Sequence, residues 1–295
     1  MSTLTTVTSS TVRSTVRSTR AEMMRLRAWP AVWITLGAWL ALSLMFGYLF
    51  TYLSYTTGDA SFTDEGTTQA EQLAQLLPTA VPDVFLQGMP MFGGALMMVL
   101  GALVAGNGYG WGTWKTVFSQ GVRRGCAVLG AVAALTTFVV ATLLVTLVFD
   151  LGISLLITVS EGQPVELPSA GSLVEALGAG FLVLEMWALL GFALGTLARG
   201  PALSVGLGLV WALVVENLLR GVGQLLSWVD ALTEVLPGTA AGSLIGSIVG
   251  AGGNGDGTPG VLDTIPGTRA AITVAVYVGA AVALSVVLVR RRDVT

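Results

Sequence analysis

The sequence predicts an all-α polytopic membrane protein that crosses the bilayer six times. Three observations carry that prediction. Hydrophobic residues make up 54% of the 295, and only 11% are charged, where a soluble domain has about a quarter. Mean hydropathy is +0.80. The apolar residues fall in separate runs, each of about the 20 residues that a helix rising 1.5 Å per residue needs to cross some 30 Å of hydrocarbon.

In chain order, residues 1–17 read as a disordered tail rich in Ser, Thr and Arg, with S-T-V-R repeated at 10–13 and 14–17. Residues 18–295 read as one transmembrane domain. A helix is expected from about Ser18, with Arg13, Arg17, Arg20 and Arg27 on one stripe and Met23 and Leu26 on another. Such a helix lies in the headgroup layer with its cations on anionic lipid, and Pro30 ends it. The spans are placed at 31–52, 84–106, 126–149, 173–197, 202–219 and 270–289. Trp29, Trp33 and Tyr52 anchor the first at the interfaces. The third has an apolar continuation through 151–159, and the fifth runs toward Arg220, so those ends stay open.

The loops complete the picture. Residues 53–83 are acidic and polar, with a short helix expected in 69–77 before Pro78 and Pro82. Residues 150–172 read as a second acidic loop carrying Asp150, Glu161 and Glu166. The loop 221–269 contains an apolar segment, Leu236-Pro237-Gly238, and a stretch 239–249 too short to span. With Gly242, Gly246 and Gly250 at small-xxx-small spacing, a re-entrant or surface-lying helical pair is expected there. The glycine-rich run 251–260 reads as a flexible turn.

Charge fixes the expected orientation. With both termini in the cytoplasm, only Arg220 and Arg269 of the 14 cations fall outside the cytoplasmic segments. Most of the 17 acids then lie on the other side. This is the asymmetry of the positive-inside rule.

Several chemistries are excluded. With no histidine and one cysteine, Cys126, there is no intrachain disulfide, no His-based general base and no Cys/His zinc framework. There is no phosphate-binding G-x-x-x-x-G-K-[ST] loop: the only lysine, Lys115, follows Trp114 where that loop needs glycine. The Gly-x-Gly patterns of 106–112 follow a membrane helix and not a strand, so they are no dinucleotide fingerprint. The chain is not expected to be an enzyme, to bind nucleic acid or to carry its own cofactor or metal.

Three groups of residues stand out. Residues 108–125, GYGWGTWKTVFSQGVRRG, lie between the second and third spans. Trp111, Trp114, Phe118 and Val122 recur at helical spacing, with Lys115, Arg123 and Arg124 off that stripe, as in a helix that packs on a partner. Glu185, Glu216, Asn217 and Arg220 are polar within or beside spans, where charge costs about 2.5–3.5 kcal/mol. Glu216 and Arg220, four apart, are expected to pair, whereas Glu185 has no cation at its depth. Gly191 and Gly195 form a GxxxG that lets helices approach closely.

The pattern resembles the permease subunit of ATP-binding-cassette transporters of the type-2 exporter class. The parts that carry the resemblance are RAEMMRLR at 20–27 leading into the first span, GTWKTVFSQGVRR at 112–124, Leu236-Pro237 before the last span, and the terminal RRRDV at 290–294. The second is the most specific, since members typically show G-T-x-(K/R)-T followed by Arg there. The resemblance implies a half-transporter. Two six-span permeases would pair as a homo- or heterodimer, and each would contact one ABC ATPase subunit, two copies in all, which bring ATP and Mg. The N-terminal helix and the 110–123 loop would be its coupling elements. Substrate, hydrophobic or amphipathic, would pass along the dimer seam across a bacterial plasma membrane. The long tail and the 250–260 loop depart from the family pattern. The competing readings are a secondary transporter or channel using Glu185 and Glu216, and a non-transporting membrane scaffold.

Overall fold

A computed structural model describes residues 2–58, 67–223, 225–250 and 258–292, with side chains described from residue 12 onward. Most of the glycine-rich 251–260 turn and the end of the terminal RRRDV lie outside the described residues. Among the described residues there are helices, turns and loops and no strand, and six of the helices are long and apolar enough to span a membrane.

α1 (Ser2–Ala28) precedes the first span, α2 (Pro30–Thr57). α1 starts at Ser2, so the stretch expected as a disordered tail is helical. No glycine or proline interrupts residues 2–28, and its C-terminal half is anchored on the bundle through Leu26, 1% exposed. The break at Trp29 follows from Pro30, which biases the residue before it to extended backbone; Trp29 has φ −93 and ψ 120. α3 (Gln69–Leu76) opens with a capping box between Thr68 and Glu71. α4 (Val81–Leu86) ends where Gly88 takes φ +75, a left-handed turn that glycine adopts without a Cβ penalty. That turn separates 84–88 from the second span, which is α5 (Met89–Gly110) and not 84–106. α6 (Thr113–Ser119) is a two-turn helix between Gly112 (φ +68) and Gly121 (φ +79).

The third span, α7 (Arg124–Ser160), has 37 residues. It is much longer than 126–149 and takes up Asp150, expected in a loop. Apolar residues continue at helical spacing to Val159, and the helix ends before Gly162, at φ +62, and Pro164. α8 (Ala170–Ala198) and α9 (Pro201–Gly223) form the fourth and fifth spans. α10 (Ser227–Thr233) and α11 (Pro237–Val249) are bent 71° to each other, in the region expected to be re-entrant. α12 (Gly267–Arg291) is the last span.

The core lies around α5 and α8, which are mostly enclosed by the other helices, whereas α2, α9 and α12 are mostly open to the surroundings. Glycine sets the α5–α8 approach. A Cβ on Gly101 would overlap the Ala188 carbonyl, one on Gly191 the Met98 carbonyl, and one on Gly195 the Ala102 carbonyl. Without a hydrophobic drive between helices in lipid, such contact is what packs them.

Candidate functional site

The end of the bundle that carries both described termini is built from α1, α6, the first turn of α7 and the last turns of α8 and α12. Its order comes from arginines placed on orphan helix carbonyls. Arg124 Nη1 donates to the Arg292 carbonyl at 2.8 Å, and Arg292 Nη1 donates to the Leu197 carbonyl at 3.1 Å. These join the ends of α12 and α8 to α7, cations meeting the negative ends of helix dipoles. Arg290 packs on Gly125, where a Cβ would lie 3.0 Å from its guanidinium. On α1, Arg25 pairs with Glu22 at 2.8 Å and reaches the Val104 carbonyl of α5 at 3.2 Å. Burial pushes the Glu22 carboxyl up from its ordinary range, and the adjacent Arg25 partly opposes that.

α6 divides the candidate coupling residues into two sets. Trp114 is 4% exposed, donates Nε1 to the Ala105 carbonyl at 3.3 Å, and fits over Gly108, where any Cβ would overlap the indole. Phe118 stacks on Trp114 at 5.6 Å, and the Arg124 guanidinium lies 5.6 Å over the Phe118 ring. Trp114, Phe118 and Arg124 therefore face the bundle and hold α6 down, and are not an outward packing face. Trp111 lies outside α6, 66% exposed and edge-on to Trp29 at 6.2 Å. Gly112 and Gly121 reset the chain direction on either side of α6, so the four-residue stripe through Trp111 and Val122 does not persist. The outward set is Lys115, Thr116, Ser119, Gln120 and, beyond the turn, Arg123, all exposed. Between α6 and α1 runs a groove of about 600 Å³, walled by Arg13, Arg17 and Glu22 on one side and Trp114, Val117 and Gln120 on the other.

The intramembrane polar residues are not one site. Glu185 on α8 accepts a hydrogen bond from Thr136 Oγ1 of α7 at 2.6 Å, and its other oxygen is buried without a partner. Glu216, 0% exposed, lies 3.5 Å from Arg220, as their spacing predicts. It also accepts from Trp211 Nε1 at 2.9 Å, and its other oxygen lies against Gly238 in the first turn of α11. The carboxylate thus caps the positive end of another helix electrostatically. Asn217 donates to the Leu213 carbonyl one turn back and stays exposed. Among the described residues no three Asp, Glu or Cys gather as metal ligands.

Residue-by-residue reading of the sequence missed Asp150, with Ser43 and Tyr48 opposite it on α2. Ser43 Oγ donates to Asp150 Oδ1 at 2.9 Å. The recurrence of Thr142, Thr146, Asp150, Ser154 and Thr158 every four residues was the available signal that this stretch is helix and shares a face.

The chain matches no protein-family model and no curated protein.

Proposed function

We propose that this chain is the permease subunit of an ATP-driven ABC exporter of the type-2 class. It sits in a bacterial plasma membrane with both termini in the cytoplasm and moves a hydrophobic or amphipathic substrate. A second permease and two copies of a separate ATPase, carrying ATP and Mg, complete the transporter. One observation supports this reading most: α6 is clamped to the bundle by Trp114 and Phe118 while Lys115, Gln120 and Arg123 face outward beside α1. A rigid two-turn helix with a cationic outer face, at the end that holds nearly all the cations, suits the transmission of force from a soluble motor. The lack of a phosphate loop in the sequence requires that motor to be another chain.

The test is affinity purification of the tagged protein from its own host in mild detergent. An ATPase bearing the phosphate loop should co-purify, and Lys115→Glu combined with Arg123→Glu should reduce its recovery at least tenfold without changing the elution volume of the permease. If no ATPase is recovered with the unaltered chain and none is stimulated on mixing, the exporter reading fails. A secondary transporter is the second reading, and Glu185, buried with one oxygen unpartnered, favours it. Under that reading Glu185→Gln abolishes transport that persists without any ATPase.

A further inference from the structure

The first and third spans meet along polar side chains that no cation neutralises. On α7, Thr142, Thr146, Asp150, Ser154 and Thr158 are all within 1% of complete burial. α2 answers them: Trp39 Nε1 donates to Thr146 Oγ1 at 3.0 Å, and Ser43 Oγ to Asp150 Oδ1 at 2.9 Å. From Thr35 through Trp39 and Ser43 the contact face recurs every four residues, which would place Gly47 next. The π-helical turn Leu44–Leu49 inserts one residue, a device frequent at functional sites. Tyr48 takes the position instead, 1% exposed, packed with Ile153 and Ile157 and in the electrostatic field of Asp150. Asp150 Oδ2 and the Tyr48 hydroxyl are both buried without a hydrogen-bond partner. At 1.5 Å per residue Ser43 lies about 20 Å along α2 from Pro30, and Asp150 about 39 Å along α7 from Arg124, so the pair stands in the half of the bundle away from the arginines.

A buried carboxylate requires a positive partner or a proton. No lysine or arginine occurs between Arg27 and Lys115, or between Arg124 and Arg199. Ser43 and Tyr48, the groups shown against Asp150, and Leu76, whose carbonyl accepts from Ser154 one turn on, lie in those two segments. α1 and the end of α12 meet α7 near its start, at Gly130 and Gly125. The titratable groups of α2, α3, α4, α7 and α8 give no compensation. Tyr48 is neutral as a phenol, and Glu71 on α3 and Asp83 on α4 are exposed acids. Glu161, farther along α7, accepts from Tyr52 and Tyr55 at 3.0 Å each, and Glu175 and Glu185 on α8 are acids too.

We propose that Asp150 is a proton-binding site buried between the first and third spans: its carboxylate takes H⁺ on Oδ2 to become a neutral acid, and releases it in the reverse step. The step is a reversible protonation with no redox change. The proton removes a buried charge that no cation in these segments balances and turns Oδ2 into a hydroxyl. A metal ion is a poorer fit, because hard cations take about six or more oxygens, and Ser43 Oγ is the hydroxyl within hydrogen-bond distance of the carboxyl. Tyr52, Tyr55 and Glu161 continue the polar line toward the end of the bundle opposite the arginines. The site is independent of what energises transport.

Infrared difference spectroscopy on the full chain in lipid nanodiscs tests it. Asp150 is the only aspartate in the six spans, and exposed aspartates are ionised at about pH 6. With carboxyl-¹³C aspartate, the wild-type protein at about pH 6 should show an isotope-shifted carboxylic-acid band. Asp150→Asn should remove it, and exchanging KCl for NaCl should leave it unchanged. Ser43→Ala, which loses the bond onto Oδ1, should move the band, a readout that survives even if Asp150→Asn fails to fold. Absence of an aspartic-acid band in the wild type overturns the proposal in favour of a buried carboxylate that serves packing only. Loss of the band on adding Na⁺ at constant pH overturns it in favour of an alkali-ion site.

Discussion

Gly191 shows how much of this bundle depends on single missing methyl groups. Its Cα faces the Met98 carbonyl of α5, and a Cβ there would overlap backbone, which cannot rotate away. Gly191→Val should therefore lower stability by about 1–3 kcal/mol or more, read as a fall in the thermal midpoint in detergent. Gly206, also on a span but with nothing within 4 Å of where a Cβ would stand, is the control: Gly206→Ala should hold or raise the midpoint, since alanine is the better helix former by about 1 kcal/mol. Equal melting of Gly191→Val and wild type would show that α5 and α8 can spread. The GxxxG was legible in the sequence because small residues four apart on a span have few uses besides close packing. The direction of Trp114 was not legible. A seven-residue helix has its phase set by its flanking turns, and the left-handed Gly112 and Gly121 turned the tryptophan inward and left Lys115 outside.

At the scale of elements, the bent pair α10–α11 is held at three points. Glu216 caps α11 by setting its carboxylate against Gly238 at the helix start, Arg269 of α12 pairs with Glu234 at 2.8 Å, and Tyr277 donates its hydroxyl to the Val235 carbonyl at 2.7 Å. Gly238 leaves room for the carboxylate, since a Cβ there would overlap Glu216 Oε2. Removing Glu216 strips a cap and leaves Arg220 without its buried partner. Breaking such a pair costs about 3–5 kcal/mol, and the low end applies because Arg220 is 23% exposed. Hydrogen exchange localises the effect: in Glu216→Ala the amides of 238–242 should exchange at least tenfold faster while those of 183–192 on α8 keep their protection. Unchanged exchange in α11 would mean that the other two contacts suffice. The sequence foretold the Glu216–Arg220 pair from four-residue spacing alone. It could not foretell that the same carboxylate caps α11, because that contact depends on how the chain returns after 221–236. The length of α7 was obscured for a different reason: a 20-residue expectation ends the third span at 149, yet a helix stops where its breakers stand, not where the hydrocarbon ends.

For the molecule as a whole, the two cations that depart from the charge asymmetry prove informative. Arg220 and Arg269 are each tied to an acid, at 3.5 Å from Glu216 and 2.8 Å from Glu234. Neutralised locally, they weigh little against the group of arginines and the single lysine at the opposite end. The orientation expected from sequence thus has no uncompensated exception among the described residues, and it yields a direct test. In a Cys126→Ser background, which removes the one native thiol, single cysteines at Gln120 and Gln163 report on opposite ends of the bundle; Gln120 is exposed just after α6, and Gln163 lies in the turn after α7. A membrane-impermeant maleimide added to intact cells should label Gln163→Cys, and should label Gln120→Cys only after permeabilisation. The reverse pattern would place α1, α6 and both termini outside. A soluble ATPase could not then reach Lys115 and Arg123, and the exporter reading would fall with the topology. Labelling of both positions in intact cells would instead mean that the arginines do not fix a single orientation, because positive charge retained on one side is the force that selects it.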